Sequence, residues 1–139
     1  ELLKRGLFAT VTFGNMKGTD VVAVGPNRKA AIIEVKTSQS NRIVTGFYQK
    51  FKTPEHEHPT FWILHTIKPS DGFYEERFFV LSHEEMSRVQ AERNHPGKKL
   101  THVKHAELAT KGVDNVLAKN VEAYEDAWDQ IVAYCSSPT

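Results

Sequence analysis

Gly18-Thr-Asp20-Val-Val-Ala-Val24-Gly25-Pro-Asn27-Arg-Lys29-Ala30-Ala-Ile-Ile33-Glu34-Val35-Lys36-Thr-Ser-Gln39 is the stretch on which the reading of this chain turns. Two apolar runs flank a Gly25-Pro26-Asn27 turn signal, which predicts a β-hairpin. Centring the turn on Asn27 sets Val24 opposite Ala30, Val22 opposite Ile32 and Asp20 opposite Glu34. Alternate residues of a strand share a face. Asp20, Glu34 and Lys36 therefore project from one side of one hairpin. Two carboxylates brought together repel unless a proton or a cation lies between them. A divalent metal is the natural occupant, and a lysine beside it suits phosphate chemistry.

Each residue also has a plainer reading. Asp20 is the kind of residue that opens a strand or caps a turn. Glu34 can pair with Lys36 on a solvated face. Against this, Glu34 follows Ala30-Ala31-Ile32-Ile33 and precedes Val35. That run reads as a central strand, where an unpartnered carboxylate is expensive. In a metal site Lys36 would orient or help deprotonate the attacking water and stabilise charge building on the phosphate. An oxygen-only donor set favours Mg²⁺, with Mn²⁺ as substitute, over zinc.

The order of these residues resembles the PD-(D/E)XK nuclease superfamily, closest in flavour to archaeal Holliday-junction resolvase-like nucleases. The resemblance covers residues 2–49: a helix tail before Gly6, a first strand over 7–13, then the hairpin with Asp20 and Glu34-Val35-Lys36. Thr19 stands where the name-giving proline would be. No acidic residue matches the one that many resolvase-like members carry on the first helix. The chain opens within what reads as the last turn of a helix, so a truncated N-terminal helix is expected. The resemblance implies a restriction-endonuclease-like fold, α/β or α+β, with a central mixed sheet flanked by helices. It also implies the backbone carbonyl of Val35 as a third metal ligand, and Gln39 and Gln49 as supporting residues near the site. The activity implied is hydrolysis of DNA, duplex or branched, to 3′-hydroxyl and 5′-phosphate ends, by an enzyme of repair or recombination that commonly works as a homodimer.

Composition sets the outer bounds. A chain of 139 residues, 40% hydrophobic, is read as one domain with a real core. Its single cysteine, Cys135, rules out an intrachain disulfide framework and fits a reducing, cytoplasmic setting. No apolar run approaches the length of a membrane span. The net charge of +1 hides an asymmetry. Residues 1–69 hold ten Lys/Arg and five Asp/Glu, residues 70–139 eight and twelve. The basic half carries the hairpin, as a phosphate-backbone partner requires. Arg42, Lys50 and Lys52 are the nucleic-acid-binding candidates there, and a solvated loop is the alternative.

Further along, the pattern predicts strands over 61–67 and 77–81 with a turn over 68–72. A capping box, Ser82-His-Glu-Glu85, opens a helix ending near Asn94. Asp114 is expected to cap a long final helix with the stripe Leu117, Val121, Tyr124, Trp128, Ile131, Cys135. Residues 42–52 read as a short helix or an extended loop. His56 and His58 lack the further ligands a zinc site wants and read as loop residues. His65 reads as a satisfied strand histidine, His102 and His105 as surface groups. Trp62, Tyr124 and Trp128 read as core. The leading function is a metal-dependent DNA endonuclease. The alternatives are a non-catalytic nucleic-acid- or protein-binding module that retains the fold, and an unrelated scaffold with a fortuitous Asp/Glu/Lys cluster.

Overall fold

A computed structural model describes residues 1–12, 20–98 and 104–138. Phe13, the turn over 14–18, Thr19 and His102 lie outside the described residues, as does part of the polar segment 98–110. A 3-10 turn over Leu3–Arg5 closes on Gly6, whose φ of 79° suits glycine. Strands β1 (Phe8–Val11), β2 (Val21–Val24) and β3 (Ala30–Ser38) form an antiparallel meander. The β2–β3 register pairs Val24 with Ala30 and Val22 with Ile32, as the Asn27-centred turn requires. Gly25 is needed there for space: a Cβ on it would lie 2.3 Å from the carbonyl oxygen of Cys135. β1 is an edge strand and is more open than its alternation suggests, with Val11 63% exposed.

The crossover from β3 passes through β4 (Arg42–Val44) and the single-turn helix α1 (Phe47–Lys50). The short helix expected within 42–52 is realised over Phe47–Lys50, whereas Arg42–Val44 is a paired strand that neither alternative gave. The chain re-enters the sheet as β5 (Phe61–Ser70), parallel to β3, and returns antiparallel as β6 (Phe73–Ser82). The sheet order is β1-β2-β3-β5-β6, a mixed sheet. β5 runs through the predicted turn at 68–70, and only Asp71 and Gly72, both at positive φ, make the bend. β3 ends at the Ser38–Thr66 pair, so residues 67–70 and 73–76 continue as a two-stranded ribbon beyond it. Ser82 and Glu85 close the capping box of α2 (His83–Asn94).

Alternation on the strands divides the core. Ala31, Ile33, Phe61, Ile63 and Val80 pack with Trp128, Ile131 and Cys135 on one face. Trp62, Leu64, Phe79 and Leu81 pack with Phe47, Phe51 and Met86 on the other. The long final helix is not formed. Helix α3 spans only Asp129–Ser136, and β7 (Asn115–Leu117) with two 3-10 turns fills the stretch before it. The reason lies in the apolar stripe itself. Val121 belongs to the core on the α2 face, while Trp128, Ile131 and Cys135 belong to the core on the opposite face. One straight helix cannot bury its stripe on both sides of a sheet. The chain instead rounds the β6 edge, where Asp126 N–H donates to Phe78 O (2.8 Å) and Asp126 adopts φ 54°. β7 pairs antiparallel with β4 in a second, two-stranded sheet. Among the described residues no helix is long and apolar enough to cross a membrane.

Candidate active site

The hairpin brings the predicted carboxylates to the start of β2 and the middle of β3. Asp20 stands one residue before the β2 ladder, and its N–H donates to Ile33 O (3.0 Å). Continuing the Val21–Ile33 register by one residue sets Asp20 against Glu34. Asp20 Oδ2 accepts from the Val35 N–H at 2.8 Å. In an antiparallel ladder the N–H and C=O of one residue point the same way. The Val35 carbonyl is thus directed to the side of β3 where Asp20 stands.

Glu34 is 3% exposed and paired in register with Trp62. Its neutralisation comes from two ammonium groups. Lys36 Nζ lies 3.3 Å from Oε1, and Lys50 Nζ lies 3.1 Å from both Oε1 and Oε2. Lys36 arrives by strand periodicity, two residues on. Lys50 arrives on α1, the crossover helix. Both ammonium groups face the one Glu34 carboxylate, and Asp20 makes no ion pair with either of them. The plain Glu34–Lys36 pairing is present, yet on a buried rather than a solvated carboxylate.

The other candidates are placed differently. Gln49 Oε1 accepts from the Asp114 N–H (2.9 Å), so its carbonyl end holds the fold. Gln39, Arg42 and Lys52 are exposed and make no hydrogen bond or ion pair with Asp20, Glu34, Lys36 or Lys50 among the described residues. His56 and His58 donate from Nδ1 to the Glu57 and Pro59 carbonyls at 2.8 and 2.7 Å. His65 Nε2 meets Glu76 Oε1 at 3.0 Å, as a satisfied strand histidine. His105 is half-buried rather than a free surface group, with Nε2 on Phe51 O at 2.8 Å. Trp62 and Trp128 are buried, and Tyr124 packs partly buried against the α2-side core.

Asp114 does not cap the final helix, whose N-cap is Trp128. It is fully buried and latches α1 instead. Its Oδ2 accepts from Tyr48 N–H (2.8 Å), its Oδ1 from Thr110 N–H (3.0 Å) and Asn94 Nδ2 (2.9 Å). Its own carbonyl accepts from the Thr45 and Gly46 amides at 2.9 and 3.1 Å. These bonds hold the segment that delivers Lys50. The one local hint is an Asp114-Asn115 pair set between Val113 and the apolar run Val116-Leu117-Ala118.

The donor set fits a hard divalent ion. Asp20, Glu34 and the Val35 carbonyl offer oxygen only. Among the described residues no group of three or more His, Cys, Asp or Glu side chains could hold a metal by itself. A partial oxygen set completed by water and substrate phosphate is the habit of Mg²⁺, not of zinc.

A histidine pair lines the neighbouring face of the core. His58 stacks on His83 at 3.8 Å, and Trp62 Nε1–H donates to His83 Nδ1 (3.1 Å). That bond requires a lone pair on Nδ1, so His83 is neutral. Burial, then the neighbouring His58, pulls its pKa from 6.5 to about 4. Folded His83 therefore refuses a proton that the unfolded chain accepts. Its contribution is complete above pH 6.5 and lost as the pH falls through about 4. The ring is half-buried, so after discount for solvent the loss is ~1–2 kcal/mol. Urea midpoints at pH 7 and pH 4.5 are expected to differ more for the parent than for His83→Gln. Equal differences would refute this assignment.

No family model matches the sequence, and no curated protein matches it. Among solved structures the chain is similar to a bacterial homing endonuclease, I-Ssp6803I, with a TM-score of 0.51 over 95% of this chain and 81% of that one. At 12% identity the likeness is one of fold. The mixed sheet with helices on both faces is a fold this chain shares with a nuclease.

Proposed function

We propose that the chain is a metal-dependent DNA endonuclease of the resolvase-like or restriction-like kind. The observation that supports this best is Glu34: a nearly buried carboxylate at mid-strand, with Asp20 across the hairpin and Lys36 on its flank. The nuclease-like fold adds to it, because these residues occupy the meander that precedes the crossover. Asp20, Glu34 and the Val35 carbonyl would hold Mg²⁺, which supplies Lewis acidity toward a bound water and the phosphate oxygens. Lys36 orients the attacking water and stabilises the charge gained by the phosphate in the transition state. Asp20 also holds the Val35 amide, which fixes the stretch of β3 that presents the carbonyl. Arg42 and Lys52, both exposed, serve the phosphate backbone on either side. Two strands call for two copies of the site, hence a homodimer, working in a reducing cytoplasm.

One observation favours a second reading. Lys36 and Lys50 already neutralise Glu34, as a non-catalytic module with the same fold would require. The test is scission of a panel of branched and linear DNAs with Mg²⁺ or Mn²⁺, beside binding in EDTA. Cutting that depends on the ion is the expected result. Binding should weaken with salt, by about 0.9 log unit per log unit of salt for each phosphate neutralised on duplex DNA. Binding without scission under every ion would select the module. Binding insensitive to salt would remove nucleic acid as the partner.

A further inference from the structure

We propose that Lys50 is a built-in competitor for the metal: its ammonium holds the Glu34 carboxylate until a divalent ion displaces it. This rests on the metal-dependent reading above. Lys50 has the look of a phosphate contact in the sequence, yet its ammonium is turned inward. It lies 3.1 Å from each Glu34 oxygen and donates to both, whereas Lys36 Nζ comes to 3.3 Å of Oε1. The Glu34 side chain is 4% exposed, so little solvent shares those oxygens. An ion bound to Glu34 needs an oxygen at about 2.1 Å. It would meet the Lys50 charge on the same edge, and like charges that close repel strongly where water is sparse.

The way out is open. The Lys50 side chain is 34% exposed, and its Nζ lies 5.5 Å from the centre of the Phe51 ring. It sits at the last position of a one-turn helix that the Asp114 bonds hold in place. The side chain can swing to solvent without disturbing α1. Once displaced, its ammonium stands beside the site, where a phosphate oxygen is its next partner.

The test is Mn²⁺ binding to the full chain without DNA, by electron paramagnetic resonance of the unbound ion. Lys50→Met is expected to bind Mn²⁺ about tenfold or more tightly than the parent, because a facing charge is gone. Lys50→Gln, uncharged yet still a hydrogen-bond donor to Glu34, is expected to do the same and guards against a folding defect in the methionine variant. Lys52→Met removes an exposed charge nearby and is expected to change affinity less than about twofold. A parent that binds Mn²⁺, with both Lys50 variants equal or weaker, would overturn the competition and leave the nuclease reading standing. No Mn²⁺ binding by any of the four proteins would overturn both.

Discussion

Glu34→Ala is expected to lower Mg²⁺-dependent strand scission by about 10²–10³-fold or more, while DNA binding in EDTA persists or tightens. The two effects have one origin. Glu34 is the carboxylate that both lysines face, and Asp20 alone holds a hard cation poorly. Removing it deletes a ligand and also a negative charge directed at the phosphates. Lys36 and Lys50, each about one-third exposed on its side chain, are then free to meet DNA. Lys36→Ala should separate the roles. It keeps metal binding, at parental affinity or tighter because a charge beside Glu34 is gone, and loses rate, because the lysine acts on the water and the transition state. Scission and gel shift on the same branched substrate measure both. Variants that cut like the parent would sink the assignment of these residues.

Asp114→Ala carries the largest expected loss of stability, about 3–5 kcal/mol. The carboxylate is fully buried and accepts from two backbone amides and the Asn94 side chain. Alanine leaves those three donors without a partner where little water reaches. Asp114→Asn, which keeps one accepting oxygen, should lose about half as much. Urea unfolding of the three proteins gives the comparison. A loss under about 1 kcal/mol for alanine would show that water or neighbouring groups replace the latch.

What was legible in the sequence was local. The β2–β3 register follows from a turn of few residues, and the capping box from a span of four. Glu34 stood out because a carboxylate interrupts an apolar strand. What was illegible depends on distant partners. Asp114 bonds Tyr48 across 66 positions, and β4 exists only because β7 pairs with it. The final stripe looked like one helix face because spacing records periodicity, not which side of the sheet each residue meets. Pro69 looked like a turn residue, yet β3 has ended by that point, so its missing donor costs no ladder bond on that side. Lys50 had the sequence features of a phosphate contact, and nothing in its neighbours announces that α1 points it inward.

The ribbon formed by residues 67–70 and 73–76 has a practical meaning for anyone who handles this protein. Among the described residues no third strand joins it, and an isolated two-stranded hairpin is marginal in water. Its amides should therefore exchange by local opening, well before those of β3 or the inner half of β5. Phe73 and Tyr74, 63% and 67% exposed, are carried at its end. The Asp71-Gly72 tip is accordingly an internal position suited to accept an inserted tag, a fluorophore or a protease site while Asp20, Glu34 and the two lysines stay undisturbed.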